Sequence, residues 1–549
     1  MEDGNFDVII IGTGLTESIT AAALSKAGFK VAHLDENPYY GGNEASLSLE
    51  ELAQWACKHS SSSEPVARFT SVTRSADIPS YARQYSICLC PSVIPSIGPF
   101  ISALVASGVS KYTGFRLLES AAVYDSSGTL KNVPGSKEDV FKNKDISLIE
   151  KRRLMRFLTF SAGDFEDTKE LEGSQQLPFL QFLQEVFSLS EEISSVIAYS
   201  LAYCVSVDDA TLPALQRLRR YMHSIGRYGP SPFLVGHYGG IGDIAQGFCR
   251  AAAVSGGVYI LGRKILSVTP QDSSPSTDNS VHDTSLPGYT ITLDDFPEPL
   301  TCKIIISSTS NIHPDLISDS QPTGAMQDVD LNTTSVARCI AIIDKPISFA
   351  AVPSTDDAED IESNDESTES SRRASGRDMD TAVLVFPPSS LPRGSRTSAA
   401  TVLLNGEGSL SAPKGKWILY IGLPVLSSTT VKPEDILRPY LDAVLTLAHD
   451  AEHPPKPLFT TFYMENPSRA TQSPDVDSSS YLVVPQADIS ALPDRPDIMT
   501  EHAETVFQMA VRMLRRETSS AMGDGDVESS LKQDFWPPLP DDEAESQEW

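Results

Sequence analysis

The chain is short of cations. Its 549 residues hold 43 Lys and Arg against 73 Asp and Glu, a formal net charge of -30. Such an excess repels phosphodiester backbones and anionic lipid, which excludes nucleic acid as a general partner. Cysteine is also scarce: seven residues, Cys57, Cys88, Cys90, Cys204, Cys249, Cys302 and Cys339, odd in number and scattered. That usage suits a reducing compartment and excludes a disulfide framework. Cys88 and Cys90 form the single close pair. No second pair or histidine cluster joins them, so they read as ordinary buried thiols rather than a metal site. The nine histidines show no ligand spacing and no nucleophile-activating arrangement. No apolar run is long enough to span a membrane, no secretory leader is visible, and the last residues form no prenylation box. The expectation is a cytosolic protein with no metal.

What is present begins with Phe6-Asp-Val-Ile-Ile-Ile11, a β-branched run of the kind found in buried parallel strands. Gly12-Thr13-Gly14 makes a tight turn, residues 16–27 read as a helix ended by Gly28, and 30–34 as a second strand with Asp35 at its end. This βαβ unit predicts a doubly wound, Rossmann-type α/β fold of the FAD/NAD(P)-binding kind. Residues 86–124 read as strand, helix and strand. The segment 137–225 reads as a self-contained helical insertion. Its clearest piece, 177–204, places Phe179, Phe182, Leu183, Val186 and Phe187 on one face. That stripe reads either as plain core or as the lining of a lipid cavity. Sheet patterning returns at 233–235, 258–261, 304–306, 382–386 and 417–421, and a helix at 501–516. The expected division is therefore 1–136 and 226–518 for the α/β domain and 137–225 for the insertion. Residues 353–381 are acidic and poor in large apolar side chains, so they read as a disordered loop; 519–549 read as a disordered acidic, proline-rich tail. Arg372-Arg373-Ala374-Ser375 in the loop has the form of a basophilic kinase site.

The glycine turn departs from the dinucleotide fingerprint at one position. Where G-x-G-x-x-G carries its third glycine, this chain has Glu17. A small residue there lets the pyrophosphate approach the helix N-terminus. A carboxylate stabilises that end of the helix itself and competes with phosphate. Asp35, roughly twenty residues beyond Gly14, holds the place of a ribose-binding acid. A retained acid beside a spoiled phosphate site predicts an inherited fold with no FAD or other cofactor.

Phe6 to Ser46 reads FDVIIIGTGLTESITAAALSKAGFKVAHLDENPYYGGNEAS, and Arg227 to Leu261 reads RYGPSPFLVGHYGGIGDIAQGFCRAAAVSGGVYIL. With EKRRLMRFL at Glu150 to Leu158, these blocks resemble the superfamily of Rab GDP dissociation inhibitors and Rab escort proteins. Asn43, Gly226, Cys249, the segment Ala503 to Gln508 and the tail from Phe535 to Asp542 resemble the escort branch. The resemblance implies an accessory protein without catalysis of its own. Its α/β domain would bind GDP-bound Rab GTPases. Its helices would dock the geranylgeranyltransferase heterodimer and shelter the geranylgeranyl lipid, with transient membrane contact on delivery. It assigns Tyr40, Asp243, Arg250 and Ile260 to the Rab platform, with Asp243 standing for a Glu and Ile260 for a Met. It assigns Tyr221 to transferase docking. Read without the family, Tyr40 is a turn residue packing on aromatics, Tyr221 a half-buried helix residue, and Arg227 a cap for the preceding helix. Two alternatives stay open: a dissociation inhibitor that recycles prenylated Rabs, and a flavin-dependent oxidoreductase on the same fold.

Overall fold

The computed structural model describes residues 4–60, 68–132, 146–271, 288–316, 334–349, 377–426, 429–448, 455–467, 480–485, 492–519 and 533–537. The opening sequence folds as its pattern predicts. Strand Asn5–Ile11 runs into the glycine turn, helix Leu15–Lys26 follows, and strand Val31–Asp35 returns parallel to the first. Four parallel strands stand in the order Val258–Leu261, Val31–Asp35, Asn5–Ile11, Leu300–Ser308. The outer edge of Leu300–Ser308 is divided. Its first half pairs antiparallel with Tyr289–Leu293, and its second half pairs in parallel with Tyr481–Val484. Helix Leu15–Lys26 is buried from Leu15 to Ser25. Helices Ile241–Val254 and Arg495–Ser519 lie against it. A helix covered on all sides needs small residues for close approach, and Ala21, Ala22 and Ala23 supply them.

A second sheet has no counterpart in the sequence reading. Eight strands run in the order Phe69–Arg74, Phe459–Glu465, Thr334–Ile343, Trp417–Leu426, Ala400–Asn405, Thr381–Phe386, Ser120–Tyr124, Leu130–Asn132. All neighbours are antiparallel except Thr381–Phe386 with Ser120–Tyr124. Alternate residues face opposite ways. Ile340 and Ile342 point into one core, while Cys339, Ala341 and Ile343 point into another, beneath helix Pro433–Leu445. Both faces are covered, so these strands read as continuous apolar runs, which periodicity does not distinguish from strands of a parallel sheet. Residues 233–236 likewise belong to a separate three-stranded sheet with Ile94–Pro95 and Phe115–Leu117.

The helices between 148 and 224 are Leu148–Ala162, Phe179–Phe187, Glu191–Val196 and Thr211–Ser224, with a π-turn at Ile197–Leu201. The single helical piece expected over 177–204 is broken because Ser188 turns left-handed at φ 54° and Ser190 caps the next helix, accepting from Ile193 N at 3.5 Å. Nor do these helices close a core of their own. Phe157, Phe179, Phe182, Leu183 and Phe187 are buried in one cluster with Val383, Val385, Tyr420 and Tyr463 of the second sheet. The phenylalanine stripe is therefore core.

Two segments expected to be disordered carry ordered stretches. Arg377–Asp378 pairs with Ser348–Phe349, Met379 is buried, and Thr381 opens a central strand, so residues 377–381 are not loop. Residues 353–376, Ser375 included, lie outside the described residues. In the tail, residues 533–537 pack on the body through Phe535 and Trp536. Among the described residues no helix is long and apolar enough to cross a membrane.

Candidate functional site: a closed glycine turn and the face beside it

The glycine turn lies at the carboxyl ends of the parallel strands, where doubly wound folds hold dinucleotides. Here the chain's own groups satisfy the polar atoms that a dinucleotide would use. One Asp35 oxygen accepts from Thr13 N at 2.9 Å and Thr13 Oγ1 at 2.6 Å. The other accepts from Asn37 N at 2.8 Å and Asn37 Nδ2 at 3.0 Å. Both lone-pair faces of the ribose acid are thus occupied. Thr13 Oγ1 also accepts from Gly41 N at 3.0 Å, which ties the Tyr39-Tyr40-Gly41-Gly42 bend down over the turn. Gly41 must be glycine: its φ is +100°, and a Cβ there would meet Ala45 Cα at 2.7 Å.

Two carboxylates converge above Gly14. A Cβ on Gly14 would lie 2.6 Å from Glu17 Oε2 and 3.0 Å from Glu44 Oε2. Glu17 is buried on the first turn of the helix. Burial, and then the Glu44 carboxylate, push its pKa up from 4.5 to about 7. Glu44 in turn faces Arg495 at 3.5 Å and Arg68 at 3.6 Å. Both arginines reach Glu465 at 3.1 Å, and Arg338 joins them at 2.7 Å. Burial alone would raise Glu465, but the three guanidinium groups hold it well below the usual carboxylate range.

These five side chains come from positions as far apart as 44 and 495. Sequence reading missed them, although a charge inside an apolar strand, Arg338 or Glu465, is the signal that marks such a site. A cavity of about 780 Å³ adjoins the turn, with Gly12, Glu17, Asp35, Glu44, Arg68 and Arg495 in its walls.

The residues present do not fit FAD or NAD. The pyrophosphate path over Gly14 is taken by carboxylates, and the ribose acid is saturated by Thr13 and Asn37. No redox step follows from this geometry. The described residues hold no group of His, Cys, Asp and Glu able to ligate a metal. Cys88 and Cys90 are buried, and burial raises both thiols, so neither is a ready nucleophile.

Beside the turn, the bend and helix Ile241–Val254 form one face. The helix start is pressed against Glu44 to Ser46, where a Cβ on Gly242 would lie 2.3 Å from Ser46 N. Tyr40 is half-buried, edge-on to Tyr259 at 5.8 Å. Asp243 is half-buried in the helix's first turn, and burial raises its carboxyl. Arg250 is exposed, its guanidinium 4.9 Å above the ring of Tyr112, which is 42% exposed. The structure thus brings Tyr40 and helix 241–254 together.

Two candidates fall elsewhere. Ile260 is buried in the core behind the sheet, with Ile9, Leu34 and Val268, because strand alternation turns its neighbour Tyr259 toward Tyr40 instead. Tyr221 is only 3% exposed. Its hydroxyl donates to Asp494 Oδ1 at 2.7 Å, and its ring meets Phe233 at 4.9 Å. It holds the helices to the body and offers no docking surface. Exposed at that helix end are, among others, Ile225, Arg227 and Tyr228, with the Arg227 guanidinium over the Tyr228 ring at 5.4 Å.

Comparison with known proteins agrees with this geometry. A protein of Candida albicans named "Rab proteins geranylgeranyltransferase component A" is 30% identical over 444 residues, 80% of this chain. The chain spans 61% of that relative's length. Among solved structures, a Rab GDI from Plasmodium falciparum superposes with a TM-score of 0.61 at 20% identity, covering 92% of this chain and 98% of that one. An oxidoreductase from Methanosarcina mazei superposes with a TM-score of 0.55 at 14% identity, covering 91% and 100%. At these identities the superpositions show the fold, a Rossmann-like mixed α/β architecture. The family described as GDP dissociation inhibitor matches residues 1–281, and the chain belongs to it.

Proposed function

We propose that this chain is a non-catalytic escort: it binds GDP-bound, unprenylated Rab GTPases, presents them to Rab geranylgeranyltransferase and carries the prenylated product to membranes. The observation that carries this reading is the long match to a relative named as component A of that transferase. The filled glycine turn supports it from the other side, since a fold shared with an oxidoreductase has its nucleotide path occupied by Glu17 and Glu44. Rab recognition is assigned to Tyr40, Asp243 and Arg250. A rigid half-buried aromatic and an exposed guanidinium are the residue types that dominate protein interfaces. Transferase docking is assigned to the helical side, where Ile225, Arg227 and Tyr228 are exposed. The zinc and the chemistry belong to the transferase.

The test is an add-back assay with unprenylated Rab, purified transferase and labelled geranylgeranyl donor. Transfer that depends on this chain supports the escort reading; transfer unaffected by it overturns that reading. A dissociation inhibitor is the second reading, favoured by the fold shared with the Plasmodium Rab GDI. It would extract prenylated Rab from membranes yet leave the add-back assay unchanged.

A further inference from the structure

The cavity beside the glycine turn is about 780 Å³, the size of a small-ligand site. Its polarity is the reverse of a dinucleotide site. There a helix N-terminus presents N–H groups and a positive dipole end to an anion. Here two carboxylates stand over that end. Glu17 Oε2 and Glu44 Oε2 lie 2.6 and 3.0 Å from the position of a Cβ on Gly14, so both converge on one spot.

The two carboxylates differ in what balances them. Glu44 has Arg495 at 3.5 Å and Arg68 at 3.6 Å, although both are shared with Glu465. Glu17 is 6% exposed and lines the cavity. Among the described residues its carboxylate takes a hydrogen bond from its own backbone N–H and from no other group. A buried carboxylate without a cation of its own is costly, and a ligand that brings a cation relieves that cost. One ammonium carries three donors, enough for both carboxylates. The remaining walls suit the rest of such a ligand. Tyr39, Leu47 and Trp55 offer apolar surface, and aromatic faces attract cations. At the exposed rim stand two more carboxylates, Glu36 and Glu51, with Lys58. Carboxylates inside and at the rim of a partly apolar cavity match a chain of methylenes with an ammonium at each end.

We propose that this cavity is a site for a linear organic cation, a diamine or polyamine, with one ammonium seated between Glu17 and Glu44 where a dinucleotide would carry its pyrophosphate. The inference goes beyond the escort reading and does not rest on it. A chain that supports prenylation but takes up no polyamine keeps that reading and loses this one.

The test is calorimetric titration of the full-length chain with spermidine, at physiological salt and in two buffers of different ionisation enthalpy. A single saturable site is expected, and its proton balance identifies it. Glu17 is faced by Glu44, Asp35 and Arg68, and burial, then Glu44, push its pKa up to about 7. At pH 7 it is about half protonated, so an ammonium seated against it expels roughly half a proton. Spermidine held on the acidic surface expels none, because exposed carboxylates are already ionised. Glu17→Gln abolishes the proton release and weakens binding about tenfold or more, since a charge-assisted contact is lost. Ser310→Arg, at an exposed position in the cavity wall, gives a second variant that leaves Glu17 in place. It puts a competing cation at the mouth and weakens binding in the same direction. Absence of a saturable site, equal affinity in the parent and Glu17→Gln, or binding without proton release overturns the proposal.

Discussion

Two buried glutamates, Glu17 and Glu465, stand on either side of Glu44 and titrate in opposite directions. Glu17 sits among carboxylates at the glycine turn, and burial pushes it up to about 7. Glu465 is as deeply buried, yet Arg68, Arg338 and Arg495 hold it ionised far below the usual range. Depth is the same and company differs, so the partners decide the charge state. The arginine knot is structural: it joins strands Phe459–Glu465 and Thr334–Ile343 of the second sheet to the start of the C-terminal helix. The glycine turn is a binding site closed from within. A carboxyl that titrates near neutrality in place of a glycine is tolerated there because no phosphate has to enter.

The comparison breaks most sharply at Glu465. Glu465→Gln leaves three guanidinium groups around a neutral amide, and truncating one side of a buried ion pair costs about 3–5 kcal/mol. A denaturation midpoint close to that of the parent would show that the knot is not a stabilising unit. Glu17→Gln has the opposite sign. The folded-state pKa of Glu17 is raised, so its contribution to stability is fully present below 4.5 and is lost as pH rises through about 7. Over that window the parent loses on the order of 3 kcal/mol that the glutamine variant keeps. The variant should therefore match the parent near pH 4.5 and exceed it at pH 8. A difference in Tm that does not change with pH would remove Glu17 from this role.

The neighbouring face gives smaller effects. Arg250→Ala should weaken binding of GDP-loaded Rab by about 2 kcal/mol, roughly thirtyfold, with thermal stability unchanged, because its side chain is exposed. An unchanged titration would take Arg250 off the platform. Tyr221→Phe keeps the ring packing and removes the hydroxyl from Asp494. It should lower stability by about 1–2 kcal/mol while leaving prenylation per folded molecule intact. Loss of transferase binding without loss of stability would restore Tyr221 as a docking residue.

How much of this was legible depends on how local the signal is. Asn5 to Asp35 is a local unit, and its strand, turn, helix and strand follow from apolar runs, two glycines and the alanine-rich helix. Glu17 in the glycine position carried the argument against a dinucleotide, and the geometry above Gly14 supplies its reason. The second sheet was not legible because two of its pairings join strands hundreds of residues apart: Phe69–Arg74 with Phe459–Glu465, and Ser120–Tyr124 with Thr381–Phe386. The same non-locality hid Glu44, Arg68, Arg338, Glu465 and Arg495. Tyr221 and Ile260 were placed by family position, which says nothing of which way a side chain faces. For Ile260 the alternation of a short strand decides, and for Tyr221 a buried acceptor, Asp494, decides. The tail was judged by composition over 519–549, an average that conceals two aromatics with a place to go.

The central claim is that this fold has kept the shape of a dinucleotide site while its own side chains take the phosphate turn and the ribose acid. Flavin content after gentle purification, followed by titration of the purified chain with FAD, tests that claim most directly. The account predicts no flavin absorbance and no saturable binding, since Glu17 and Glu44 stand over Gly14 and Asp35 is satisfied by Thr13 and Asn37. A stoichiometric flavin spectrum would contradict it.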